Sequence, residues 1–288
     1  MKKILIVGSK GQLGADCLSV FGNSAQGLDI PEIDISNRFQ CLEKLDEVRP
    51  DVVVNCAAYT AVDACESDPS CWSVNADGPK HLAEWVAKND SLLVHVSTDY
   101  VFAGDKPLFE SSVETDVTAP VSEYGKSKLA GEQAILGSGA NAAILRTAWL
   151  YGANGKNFLK TMLRLALQTP EKELRVVNDQ FGSPTWSYSL ARQIAAVVDV
   201  QATGIFHATA EGYCSWYDLA LRFLTEMNIP FRMAPCSSEE YPTPACRPKN
   251  SILENEELKK KSLSVFEGWE AELVRFVSVN KQRLMEEI

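Results

Sequence analysis

Nowhere in this chain does an apolar run approach the ~20 residues a helix needs to span a bilayer. The opening Met1-Lys2-Lys3-Ile4-Leu5-Ile6-Val7-Gly8 is also too short in its apolar part for a signal peptide. No membrane association and a cytoplasmic location are therefore expected. Positive charge is in short supply too: 28 Lys and Arg stand against 38 Asp and Glu, a formal net charge of -10. That balance argues against nucleic acid, or an anionic surface, held by bulk charge. An anionic ligand must instead be gripped by local groups. Histidine is scarce, and His81, His95 and His207 lie far apart in sequence, so each is read as structural. The eight cysteines, at 17, 41, 56, 65, 71, 214, 236 and 246, include no Cys-x-x-Cys pair, and several sit within apolar segments. Neither a zinc site nor a disulfide framework is expected from them. Internal repeats and low-complexity tracts are likewise missing.

What is present is enough apolar material for a large core, 45% of 288 residues. It is distributed as alternating strand and helix patterns through about residue 150. Short apolar runs at Lys3 to Val7, Ala25 to Leu28, Val52 to Asn55, Leu92 to Val96 and Ala143 to Thr147 read as strands. Helical spacing separates them, including one helix from Arg38 to Val48 and another from about Cys71 to Lys88, with Trp72, Val74, Leu82, Trp85 and Val86 as its core stripe. This order is that of an α/β, Rossmann-like, doubly wound parallel sheet covered on both faces. Beyond residue 150 the pattern loosens into helices, short strands at 174–177 and 204–207, a proline-rich stretch and a last helix from about Trp269 to Met285. Residues 1–150 are read as a dinucleotide-binding domain, and 151–288 as mainly a smaller C-terminal substrate lobe interleaved with it.

The first strand runs directly into Gly8-Ser9-Lys10-Gly11-Gln12-Leu13-Gly14. A tight glycine turn opening a helix offers free backbone N–H groups to a dinucleotide pyrophosphate, so Gly8, Gly11, Gln12, Leu13 and Gly14 are candidate cofactor contacts. The second strand ends at Asp29, where a carboxylate would accept hydrogen bonds from the adenosine ribose and repel a 2'-phosphate. Lys10 is the nearby cation that could tolerate such a phosphate. Asp34 and Ile35 follow, and Ala57, Ala58 and Tyr59 leave the third strand with small residues on which a flat cofactor can lie.

The chemistry is expected in Ser122-Glu123-Tyr124-Gly125-Lys126-Ser127-Lys128. On a helix capped near Ser122, Tyr124 and Lys128 leave the same face one turn apart. A phenol of pKa about 10 is a poor acid or base at neutral pH, and an adjacent ammonium should pull that value down. The fourth strand delivers Ser97 and Thr98 at its carboxyl end, where open α/β sheets place ligands.

With these residues the chain resembles the extended short-chain dehydrogenase/reductase superfamily, and within it the dTDP-4-dehydrorhamnose reductase family. The resemblance is carried by residues 8–14, 55–63, 97–102 and 124–132, and more specifically by Arg-Thr-Ala-Trp-Leu-Tyr-Gly at 146–152, Asn-Asp-Gln-Phe-Gly-Ser-Pro-Thr at 178–185, Ser-Trp-Tyr-Asp at 215–218 and Arg-Pro-Lys-Asn-Ser at 247–251. It implies NADH or NADPH as cofactor and a dTDP-sugar as substrate. It also implies catalytic roles for Tyr124, Lys128 and Thr98: Tyr124 supplies the proton, Thr98 hydrogen-bonds the carbonyl oxygen and Lys128 binds the nicotinamide ribose.

Four further residues are substrate candidates. Tyr100 and Trp149 could line the sugar or base, Asn157 either caps a helix or binds diphosphate, and Arg247 offers a guanidinium fork to phosphate. Some family members bind Mg²⁺ through glutamates at a dimer interface. The matching positions here are Asp16 and Ser187-Tyr188, so no metal is expected and a homodimer stays open. Two other readings share this body: a noncatalytic regulatory subunit of the methionine adenosyltransferase type, and a nucleotide-sugar epimerase or dehydratase. The intact Tyr124, Lys128 and Thr98 set weighs against the first, and the run Thr98-Asp99-Tyr100, lacking an adjacent Glu, against a dehydratase.

Overall fold

The strands Ile-Leu-Ile-Val at Ile4–Val7 (β1) and Val-Val-Val-Asn at Val52–Asn55 are apolar almost throughout because both of their faces are covered. A computed structural model describes residues 2–287 of the chain. In chain order, β1 leads into helix α1 (Gln12–Phe21), strand β2 (Ala25–Leu28), helix α2 (Arg38–Val48) and the valine strand as β3. Helix α3 (Gly78–Val86), strand β4 (Leu92–Thr98), helix α4 (Glu123–Gly137) and strand β5 (Asn141–Thr147) complete the first half. Helices α5 (Phe158–Gln168) and α6 (Ser187–Val200), strand β6 (Gly204–His207), and helices α7 (Trp216–Glu226) and α8 (Trp269–Glu286) follow.

The helix starts are set by local chemistry. The side chains of Asn37, Ser122, Asn157 and Ser215 accept hydrogen bonds from the first turns of α2, α4, α5 and α7, and at α7 the Asp218 carboxylate completes a capping box. Such a cap is worth about 1 kcal/mol against alanine.

All six strands of the main sheet run parallel in the order β2-β1-β3-β4-β5-β6. The chain reverses direction across the sheet between β1 and β3, which opens a crevice at their carboxyl ends. Alternate residues of each strand feed opposite cores. Ile4, Ile6, Val52, Val54 and Val94 pack with Leu190, Ile194 and Val197 of α6, whereas Leu5, Val7, Val53 and Leu93 meet Leu45, Leu82 and Ile135 from α2, α3 and α4. Each such fully buried side chain contributes about 1.5–3 kcal/mol, so a charge placed at Val53 would break the layer. A third core joins Leu159 and Leu163 of α5, Phe223 of α7 and Phe276 of α8. No helix among the described residues is long and apolar enough to cross a membrane.

Two local findings differ from the sequence reading. The helix expected over 71–88 is broken by a π-helical turn at Ser73–Asp77, and Trp72, expected in the core stripe, is 40% exposed and donates to Glu123 Oε2 at 3.1 Å. The rest of the stripe holds, with Val74 partly buried against the core and Leu82, Trp85 and Val86 buried in it. Cys65 and Cys71 are joined in a disulfide with Cα atoms 5.3 Å apart, although no disulfide framework was expected. Their five-residue spacing matches no framework pattern, and the pair is made by the chain doubling back between the short helices Val62–Cys65 and Ser70–Trp72. The strand expected at 204–207 is present and joins the main sheet, hydrogen-bonded alongside β5.

Candidate active site

β4 continues two residues beyond the expected Val96 and ends at Thr98, pairing with β5 as far as Thr147. Thr98 is buried, accepts from Tyr100 N–H at 3.2 Å and donates to Asp99 Oδ1 at 2.9 Å. α4 packs alongside and brings Tyr124 to this strand end. The Tyr124 ring meets Tyr100 edge-on with centroids 5.5 Å apart, and its phenol faces Thr98. Gly125 permits that approach, since a Cβ there would stand 3.1 Å from the Tyr100 carbonyl carbon.

One turn along, Lys128 is 2% exposed and donates from Nζ to the Val96 carbonyl at 2.6 Å. Burial pushes its pKa down to about 8, with the Glu132 charge opposing. The expectation that Lys128 lowers the Tyr124 pKa is corrected here. Burial pushes the phenol up to about 12, Thr98 opposes and the Asp99 charge adds to the rise. One ammonium hydrogen goes to Val96, and burial makes the phenol hold its proton more tightly than a solvated tyrosine does.

The glycine loop fits a dinucleotide. Gly11 caps α1 without a side chain, leaving first-turn N–H groups for a ligand's oxygens. Gly8 adopts φ +78°, and a Cβ there would sit 2.6 Å from Ala57 N; a Cβ on Gly14 would collide with the Gly8 carbonyl and lie 2.7 Å from Ser9 Cα. The two backbone segments therefore touch directly.

The other cofactor candidates are placed as follows. Leu13 is a core residue that can offer only its backbone, and Gln12 Oε1 accepts from Asn157 Nδ2 at 2.7 Å. Asp29 accepts from Lys10 N–H at 2.9 Å and from Ile30 N–H at 2.8 Å, while the Lys10 ammonium reaches Glu32 at 3.4 Å. Asp34 accepts from Ser36 N–H and hydroxyl. Ile35, another candidate contact, packs in the core at 4% exposure, so like Leu13 it can offer only its backbone, and its carbonyl meets His81 Nδ1 at 2.8 Å. The reason is Gly78, whose missing side chain makes room for the Ile35 side chain against α3.

Ala57 and Ala58 are half-buried along the crevice, and Ala57 N–H donates to Asn55 Oδ1 at 3.1 Å. Tyr59 is clipped at both backbone atoms by the Asn75 side chain and donates its hydroxyl to Asp68 at 2.7 Å.

On the substrate side, Trp149 stacks on Trp216 with centroids 3.6 Å apart and lies over Gly182. Asn157 is the cap of α5: its carbonyl oxygen accepts from Lys160 N–H, and its amide donates to Gln12 and to the Gly152 carbonyl. Those bonds use both of its donor hydrogens, which leaves none for a diphosphate. Arg247 forks onto Asp63, with N···O distances of 3.1 and 2.9 Å, and faces the Tyr100 phenol. The guanidinium holds the Asp63 carboxyl below its usual range.

Several residues of this site were not among those expected from the sequence. Asn75 sits on the π turn and ties Tyr59 to Ser127 of α4. Glu132, one turn beyond Lys128, forms a fully buried ion pair with Arg146 of β5 at 2.7 Å. Asp99 is buried behind Thr98. The Tyr-x-x-x-Lys-x-x-x-Glu spacing hinted at Glu132, but its partner lies on another strand. His95 meets Asn55 Nδ2 at 3.1 Å inside the sheet, and Asp16 accepts from the Ser187 hydroxyl.

The family model described as "RmlD substrate binding domain" matches residues 1–281. A dTDP-4-dehydrorhamnose reductase of Burkholderia thailandensis is 40% identical over 280 residues, covering 90% of this chain and 92% of the relative. Among solved structures, that of a dTDP-4-dehydrorhamnose reductase from Clostridium acetobutylicum matches with a TM-score of 0.92 at 39% identity, covering 96% of this chain and 98% of the other. The Bacillus anthracis dTDP-4-dehydrorhamnose reductase in complex with NADP matches at 0.91 and 36%, covering 96% and 99%. Similarity that spans the glycine loop, the strand end and the substrate side alike places this chain in the dTDP-4-dehydrorhamnose reductase family.

Proposed function

We propose that the protein reduces the 4-keto group of dTDP-4-dehydro-L-rhamnose to give dTDP-L-rhamnose, using NADH or NADPH. The observation that carries this reading is the convergence of a buried phenol, a strand-end hydroxyl and a buried lysine at the carboxyl end of β4. The bound reduced nicotinamide supplies the hydride. Tyr124 Oη gives its proton to the carbonyl oxygen as charge develops there, and the raised phenol pKa keeps that proton in place until it is needed. Thr98 Oγ1 donates a hydrogen bond to the same oxygen, an oxyanion-type contact that strengthens toward the transition state.

Lys128, anchored on the Val96 carbonyl, has further ammonium hydrogens for the nicotinamide ribose. The first turn of α1 takes the cofactor pyrophosphate, and Asp29 with Lys10 meets the adenosine ribose. Tyr100 and Trp149 border the sugar nucleotide, and Arg247, released from Asp63, reaches its diphosphate. In this scheme residues 1–150 hold the cofactor, and 151–288 supply most of the sugar-nucleotide side.

One assay tests it. Purified protein is mixed with NADH or NADPH and dTDP-4-dehydro-L-rhamnose, and both the reduced nicotinamide's near-ultraviolet absorbance and the product are followed. Stoichiometric cofactor oxidation with formation of dTDP-L-rhamnose is expected. Cofactor binding without oxidation would favour the regulatory reading, and sugar conversion without net oxidation an epimerase.

A further inference from the structure

Thr98 has one hydroxyl hydrogen and two claimants for it. In the structure that hydrogen goes to Asp99 Oδ1 at 2.9 Å, while the Thr98 oxygen accepts from Tyr100 N–H at 3.2 Å. Reduction as proposed above needs the same hydrogen on the ketone oxygen. An ionised carboxylate would keep it, because a charge-assisted bond is roughly twice as strong as one to a neutral acceptor. A protonated carboxyl reverses the bond. Asp99 then donates to Thr98 Oγ1, the threonine oxygen fills its two acceptor positions, and its own hydrogen turns outward.

We propose that Asp99 is a positioning residue of this site, protonated in the productive state so that Thr98 can donate to the substrate carbonyl. The inference rests on the functional reading given above. Its own support is geometric. Asp99 is 3% exposed, makes no ion pair among the described residues, and its Oδ2 finds no hydrogen-bond partner among them. A buried carboxylate with a bare oxygen is costly, whereas the neutral acid has a proton to place.

The groups around it offset that cost only in part. Tyr100 on its own turn and Tyr124 on α4 are phenols whose pKa burial raises, and the Ser251 hydroxyl, 3.3 Å from the Phe181 carbonyl, also faces the Asp99 carboxyl. Arg247 is forked onto Asp63 and acts on Tyr100. Burial raises the Asp99 pKa to about 6, opposed by the hydroxyls of Ser251 and Thr98 and by the N–H groups of Asp99 and Tyr100.

The role is distinct from simple structural support because it gives the reaction a pH limb of its own. Single-turnover reduction, at saturating cofactor and sugar nucleotide, should be followed from about pH 5 to 9 for wild type and Asp99→Asn. The wild-type rate should fall above a midpoint near 6, approaching tenfold per pH unit. Asp99→Asn, whose amide donates to Thr98 at every pH, should lose that limb and outpace wild type above neutrality. Any fall above about 8, where Lys128 loses its proton, is shared by both.

In parallel, the Asp99 carboxyl of the wild-type protein should be titrated by carbon NMR with labelled aspartate, the resonance assigned by its loss in Asp99→Asn or, if that variant does not fold, in Asp99→Ser. An ordinary midpoint near about 4 overturns the inference, and so does an Asp99→Asn profile that keeps the wild-type limb. If wild type reduces nothing at any pH, the functional reading is what fails. The carboxyl midpoint, measured without turnover, then still decides whether Asp99 carries the proton.

Discussion

The cofactor side and the substrate side of this crevice are built from different materials. Around the glycine loop, backbone packs on backbone: Gly8 lies against Ala57, Gly14 against Gly8 and Ser9, and the Asn55 and Asn75 amides clip the segment that follows β3. Across the crevice, side chains meet side chains, with Arg247 on Asp63 and Trp149 on Trp216. Backbone contacts of the first kind have no slack. Partly exposed ion pairs of the second kind hold weakly and can be exchanged for a ligand.

The contrast can be broken first at its centre, where both sides meet. Tyr124→Phe removes the proton donor, and kcat should fall by about 10²- to 10⁴-fold with cofactor affinity retained; steady-state kinetics and a nicotinamide fluorescence titration check this. Next comes the rigid side. Gly14→Ala places a methyl against the Gly8 carbonyl, which cannot retreat because Gly8 is itself pressed on Ala57. A strain of about 1–3 kcal/mol, or roughly 5- to 150-fold weaker NAD(P)H binding, is expected in the same titration.

A third test lies at the seam between the halves, where His207 is buried between the carbonyls of Ser112 and Glu254 and burial lowers its pKa to about 3. The unfolded value is about 6.5. Because the folded state binds this proton less readily, its contribution is complete above the unfolded pKa and is lost as pH falls from there toward about 3. The slope is about 1.4 kcal/mol per pH unit. His207→Gln should remove that slope from urea-unfolding curves compared between about pH 6 and 5. The smallest effect belongs to the exchangeable side. The Asp63–Arg247 pair is partly exposed, with side chains 41% and 25% accessible, so Asp63→Asn should free the fork at a difference of only about 0.2–1 kcal/mol. That corresponds to a KM for the sugar nucleotide lowered by roughly 1.5- to 5-fold, with cofactor affinity unchanged.

The same division decides what could be read from the sequence. The caps at Ser122 and Asn157, the run of α2 and the valine strand follow from spacing within a dozen residues, and the structure places them where spacing does. The glycine loop was legible for the same reason. What was hidden depends on distant pairs. Lys128 points its charge at a strand carbonyl 32 positions away, Glu132 finds Arg146 on another strand, and the Thr98 hydroxyl donates to its buried neighbour Asp99. Gly78 and Ile35 are a further such pair, because the absent Cβ of Gly78 makes room for the Ile35 side chain. Local pattern carries no information on which remote backbone will be bare.

The return of the chain at Gly204–His207 has a consequence for any attempt to cut the protein in two. A truncated product ending near residue 150 would leave the outer edge of β5 with an open row of amides and carbonyls, and the apolar face that α6 covers would be wet. During synthesis, the sheet therefore waits on more than fifty further residues before its last strand can be laid down. Until that moment, the nascent chain is most at risk of pairing with a neighbour.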